Sequence, residues 1–266
     1  SPVTFTFAKN DADHSPAYYA EGNFIQTSYK NTIKTTVPEG YLITGIQIAY
    51  IFGYGYAFTS NKGSFSVENL IGNWTGLSSS VTLKSTAGAR FTTITVSYTK
   101  LSEVGTTTVS AAGVATFCPE TSVIVGDGTH SSIVTGVDNT GMLIQEDIEM
   151  IPAGTGVMLF GAGSYTLYSC ANLDVPSPVT NWLVGVTTDT PAIVDTHVLQ
   201  NGEDGIAFYH VKTAGITTVT AGKAYLKLDG AAQAKTIRIF DEKESTGIGA
   251  VQETNKIQSI HTINGI

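Results

Sequence analysis

The chain has 266 residues, 42% of them hydrophobic and 14% charged, with a formal net charge of −8. That apolar content excludes a disordered chain, and the length suits two compact domains better than one. The acidic balance repels phosphate backbones and argues against nucleic acid as a partner, and no apolar run approaches the roughly 20 residues needed to cross a bilayer.

The chain opens on Val3-Thr4-Phe5-Thr6-Phe7. Side chains of a strand alternate between faces, so Val3, Phe5 and Phe7 are expected inside and the threonines in water. Ser1 enters this pattern without a basic or apolar leader, so any export signal is expected to have been removed or never to have been present. Further strands are expected at 24–29, 32–37, 41–52, 56–59, 64–67, 79–84 and 91–99. Gly53-Tyr54-Gly55, Asn61-Lys62-Gly63 and Gly72-Asn73 read as turns between them. In 91–99 the alternation puts Ile94, Val96 and Tyr98 on one face and Thr93, Thr95 and Ser97 on the other. Short strands at this spacing predict a jelly-roll-like β-sandwich over residues 1–100.

Residues 1–100 hold seven basic and five acidic residues, whereas 101–266 hold seven and seventeen, a shift that marks a boundary near residue 100. Residues 101–107 read as a weak join. A second antiparallel β domain is expected over 101–240, with strands near 107–110, 113–117, 122–126, 132–137, 142–144, 156–160, 164–168, 181–186, 197–199, 206–211, 223–228 and 236–240. Val37-Pro38-Glu39-Gly40, Ile151-Pro152-Ala153-Gly154 and Val219-Thr220-Ala221-Gly222 each read as a turn feeding an aliphatic strand. Residues 241–266 read as a charged linker and a partial β tail. Lys256 to Gly265 alternates like the first arm of a hairpin with an Asn-Gly turn, so either a longer parent is expected to continue it or the tail is expected to be frayed.

The blocks Asn31 to Tyr50, Trp74 to Leu83 and Arg90 to Tyr98 resemble an N-terminal sandwich module of secreted Bacteroidetes proteins. Gly113 to Cys118, Ile151 to Val157, Asn181 to Gly185 and Gly222 to Leu226 are similar to a second module found downstream in such proteins. Thr246 to Gly265 looks like the start of their C-terminal β segment, without its usual Gly- and Lys-rich end. The resemblance implies export, to the cell surface or beyond, by a gut or oral anaerobe. It brings no catalytic residues.

Flat aromatic faces stack on sugar rings, so exposed rings are the natural ligand candidates of a sandwich. Tyr50, Phe52, Tyr54, Tyr56 and Phe58 fall at every second position, and either present a ring-covered face or continue the core begun by Ile46 and Ile48. Tyr18 and Tyr19 sit in a separate loop beside Pro16. Tyr18, Tyr19, Tyr54, Tyr56 and Trp74 are thus the ligand-binding candidates, although Trp74 also suits the anchoring of a turn. Glu146, Asp147 and Glu149, near Asp138, form the densest acidic group. Neighbours on one strand point to opposite faces, so Glu146 and Asp147 make a poor hydrolytic pair and read as a solvated edge. Asp127-Gly128 and Glu203-Asp204-Gly205 lack the spacing of a calcium loop. His14, His130, His197, His210 and His261 show no metal-ligand spacing, and no Gly-x-Ser-x-Gly elbow is present. No cofactor or metal is therefore expected. Cys118 and Cys170 could close a loop stabilising the fold by about 4 kcal/mol, or be two small buried thiols. The reading is a non-catalytic, exported binding or adhesion protein for glycans or a surface protein. The alternatives are a structural spacer or appendage subunit, and a glycoside hydrolase or other hydrolase.

Overall fold

The computed structural model describes residues 2–51, 58–202, 205–215, 217–228 and 236–239. The protein is all-β: among the described residues the one helical element is the 3-10 turn Ala20–Gly22, and no helix is long and apolar enough to cross a membrane.

Two antiparallel sheets built from residues before Leu101 face one another. The four-stranded sheet runs Thr4–Ala8, Thr32–Thr36, Ser80–Ser85, Phe58–Ser60. The six-stranded sheet runs Ala17–Tyr19, Phe24–Thr27, Ala89–Lys100, Tyr41–Tyr50, Ile71–Ser78, Ser64–Glu68. Along the sequence the chain alternates between sheets, with Ala17–Tyr19/Phe24–Thr27 and Ser64–Glu68/Ile71–Ser78 as local hairpins within the larger one. Ile33, Val81 and Leu83 on one side meet Ile46, Ile48, Trp74 and Phe91 on the other, all fully buried. Each such side chain stabilises the fold by about 1.5–3 kcal/mol. This is the sandwich expected from the alternating pattern.

Beyond Leu101 the layers multiply. One four-stranded sheet runs Ser102–Val109, Gly163–Ser169, Val123–Val125, Met150–Ile151, and the next runs Val114–Phe117, Val157–Phe160, His130–Val137, Leu143–Ile148. A five-stranded sheet comes after them, Leu183–Val186, Lys223–Leu226, His197–Gly202, Gly205–His210, Thr236–Arg238. The middle sheet is covered on both sides. Val157, Leu159 and Ile133 pack toward the first of these sheets, while Met158, Phe160 and Val134 pack toward the five-stranded one. That is why Val157-Met158-Leu159-Phe160 reads as an unbroken apolar run, all of it buried. The five-stranded sheet has a further small core around Val186, Val198 and Tyr225, beside the two-stranded pair Thr190–Pro191/Thr218–Val219.

Four local expectations change. Gly72-Asn73 is not a turn, and Trp74 does not anchor one: both lie within the strand Ile71–Ser78. A Cβ on Gly72 would lie 2.6 Å from the Phe65 ring and 2.9 Å from that of Tyr50, so glycine makes room for two core aromatics. Residues 101–107 are not a loose join: the strand Ser102–Val109 starts one residue after Ala89–Lys100 ends. Its nearly all-exposed side chains hide it from a hydrophobicity reading. Tyr98 is exposed, because a register shift between Ser97 and Tyr98 breaks the alternation that keeps Ile94 and Val96 against the core. Phe5 and Phe7 are each 37% exposed rather than enclosed. The linker and tail expected over 241–266 lie outside the described residues.

Candidate functional site

Of the aromatic candidates, Tyr18 and Tyr19 meet solvent, at 63% and 44% exposure. They lie not in a loop but on Ala17–Tyr19, the short edge strand of the six-stranded sheet. Buried Asn31 fixes the chain leading to it: its amide donates to the carbonyls of Lys9 and His14, and its Oδ1 accepts from the Ser28 N–H. The Tyr18 hydroxyl donates to Asn23 Oδ1 at 3.0 Å. The Tyr19 ring stacks on Phe24 at 4.9 Å, and the Arg90 guanidinium lies 5.0 Å from the Phe24 centroid. Tyr18, opposite Ile25, faces the space between the sheets, whereas Tyr19, Phe24 and Arg90 share the outer face, where stacked rings beside a guanidinium can hold the face of a sugar ring and bond its hydroxyls.

The rest of the aromatic set does not join it. Tyr50 and Phe58 are buried and stack at 6.3 Å inside the sandwich, while Tyr54 and Tyr56 lie outside the described residues. Trp74 is 1% exposed, and its Nε1–H donates to the Lys62 carbonyl at 2.6 Å. A ring so enclosed offers no face to a ligand, so Trp74 is a packing residue.

A cleft lies where the first sandwich meets the sheets beyond Leu101. This cleft, about 720 Å³, is bordered by Lys34, Glu39, Tyr41, Asp127, His130, Asp147, Glu149 and Tyr168. Two carboxylates close it from opposite sides. Glu149 accepts hydrogen bonds from Lys62 Nζ at 2.6 Å, Ser78 Oγ at 2.8 Å and the Ser79 N–H. Burial pushes its acidity toward the neutral form, but Lys62 and the Ser79 donors outweigh this and hold the carboxyl below the usual glutamate range. Glu39 reaches the other way and accepts from the Tyr168 hydroxyl at 3.1 Å. A Cβ on Gly126 would collide with Glu39 Oε1, so the glycine leaves the carboxylate its space. Between them, Leu42, Leu101 and Cys170 form an apolar patch, and the Leu101 N–H donates to the Gly40 carbonyl at 2.8 Å.

Glu149 is therefore no part of a solvated edge, whereas Glu146 and Asp147 are exposed and lie on opposite faces of their strand. Asp147 borders the cleft and Glu146 a second groove beside Pro176 to Thr180. Asp138 accepts from the Met142 and Thr140 N–H groups and the Thr140 hydroxyl, which favour its anion, hold its pKa below the usual aspartate value and close a turn. Cys118 and Cys170 are free, buried thiols in separate surroundings, not a disulfide. Burial pushes the Cys170 thiol up to about 11. His197 and His210 pair across neighbouring strands, with His210 Nε2 3.3 Å from Asp195 Oδ1. His130 stacks on Phe160, and His261, Glu203 and Asp204 lie outside the described residues. No group of three or more His, Cys, Asp or Glu able to hold a metal occurs among the described residues.

Sequence reasoning misses the Glu39 and Glu149 contacts, since Glu149's partners lie 70 to 87 residues away along the chain. The Pro-Glu-Gly turn at 38–40 is the available signal, but locally it points only to the strand it feeds. Fold and cleft together define a protein of stacked antiparallel sheets with a polar junction. No protein-family model matches the chain, and no curated protein or solved structure matches it either.

Proposed function

We propose that the chain is a non-catalytic binding or adhesion protein of the cell exterior, with glycans as its ligand class. The observation that carries this reading is the exposed Tyr19 ring, stacked on Phe24 beside Arg90 at a sheet edge, with Tyr18 exposed on the opposite face of the same strand. Exposed rings held by secondary structure give ligand contact at little entropic cost. The test is a glycan array followed by titration of the retained saccharide. Tyr19→Ala is expected to weaken binding about tenfold or more and Tyr18→Ala by less than about threefold, both leaving the melting temperature near that of the wild type. An array without signal, or a hit indifferent to Tyr19→Ala, overturns it.

A role as a structural spacer is favoured by a different observation, the Glu39 and Glu149 contacts that tie the first sandwich to the sheets beyond Leu101. A fixed junction is what a stalk needs. The two readings are compatible in one surface protein.

A further inference from the structure

We propose that the edge strand Thr4–Ala8 pairs antiparallel with the same strand of a second copy of the chain. The pairing would join two four-stranded sheets into one continuous sheet across a two-fold axis. The proposal stands apart from the glycan reading and does not depend on it.

Thr4–Ala8 is the outermost strand of its sheet, and no strand lies beyond it among the described residues. Its pairing with Thr32–Thr36 runs from Thr4↔Thr36 to Ala8↔Thr32 without a register shift. Among the described residues the outer side is therefore a regular, unused ladder of N–H and C=O groups. Such edges invite another strand unless charge, proline, a bulge or shortness guards them. Thr-Phe-Thr-Phe-Ala contains neither charge nor proline. Several other edges are guarded. Ser102–Val109 carries Glu103 and a register shift between Glu103 and Gly105. Leu143–Ile148 carries Glu146 and Asp147, Ser64–Glu68 ends in an acid, and Ala17–Tyr19 and Phe58–Ser60 have only three residues each.

The exposed phenyl groups add a second argument. Phe5 lies opposite Thr35 and Phe7 opposite Ile33, both fully buried, so the two rings point into the space between the sheets. Each nevertheless remains 37% exposed. Tyr18, opposite Ile25, turns toward the same space from the other sheet. The sandwich is thus open along this side, whereas Phe58, on the far edge, is buried.

The sequence itself selects a second copy as the occupant. Phe5-Thr6-Phe7 reads the same in both directions. Antiparallel pairing centred on Thr6 sets Phe5 against Phe7 of the second copy, Phe7 against its Phe5, and Thr4 against its Ala8. Aromatic residues facing one another across strands are favourable pairs, and a two-fold interface requires this self-complementarity. Charge does not oppose the approach, because the acidic excess lies beyond residue 100.

Sedimentation velocity across a concentration series, on the whole chain, tests this. The wild type is expected to form dimers at high micromolar concentration. Thr6→Lys, which sets two like charges face to face on the outer side, should raise the dissociation constant at least about fivefold. Mixing Thr6→Lys with Thr6→Glu chains should restore a mixed dimer, which a merely unfolded variant could not do. Thr6→Cys should cross-link under mild oxidation, since directly opposed residues lie about 4.5–5.5 Å apart, within disulfide reach. Thr4→Cys should not, because it faces Ala8, and the native thiols are buried. A wild type that stays monomeric, a dimer unaffected by Thr6→Lys, or cross-linking through residue 4 instead of 6 overturns the proposal.

Discussion

Glu149 shows how much one carboxylate can do once three donors converge on it. Its folded form binds a proton less readily than the unfolded chain, because Lys62 and Ser79 favour the anion more than burial penalises it. A lowered folded value contributes stability that is complete above the unfolded value and disappears as pH falls through the folded one. The wild-type melting temperature should therefore drop on acidification below the ordinary glutamate range. Glu149→Gln should lose about 1.5–3 kcal/mol at neutral pH and show a shallower acid fall, measured by chemical unfolding at a series of pH values. An equal acid dependence in both proteins would remove Glu149 as the source.

Among the elements, the strand Leu183–Val186 is held by absence of a side chain. A Cβ on Gly185 would collide with the Gly154 carbonyl oxygen and meet the Cys118 sulfur at 2.5 Å and the Gly156 nitrogen at 3.0 Å. Here Gly113 to Cys118, Ile151 to Val157, Asn181 to Gly185 and Gly222 to Leu226 converge, with the Cys118 N–H donating to the Gly222 carbonyl. These four blocks meet at one close-packed crossing of layers. Gly185→Ala should cost about 3 kcal/mol or more in denaturant unfolding, because backbone must move. Gly45→Ala, whose nearest contact would be 3.7 Å, should change stability by under about 1 kcal/mol. The strands are legible in sequence wherever one face is buried and the register is unbroken, as from Ile94 to Val96. They are misread where a bulge turns Tyr98 outward, where glycines serve rings rather than turns at Gly72, and where both faces are exposed, as in Ser102–Val109. Of the site, only the exposed tyrosines are legible. The cleft is not, because neither Glu39 nor Glu149 carries any local mark of a partner far along the chain.

For the whole molecule, the junction decides whether its parts behave as one body. Glu39 and Glu149 reach in opposite directions across it, around the Leu42, Leu101 and Cys170 patch. Calorimetry of the wild type is expected to show one transition, and the double variant Glu39→Ala/Glu149→Ala two. A single transition in the double variant would assign the coupling to the apolar patch. The threading of the first sandwich has a consequence in time. Ala89–Lys100 is its last strand to be synthesised, yet it lies inside the six-stranded sheet, bonded to Phe24–Thr27 on one side and Tyr41–Tyr50 on the other. Until it arrives, a chain leaving the ribosome carries a split layer with bare flanks and can complete neither half. Such far-separated pairings make folding slow and late, and the waiting intermediate exposes adhesive surface that a chaperone must shield.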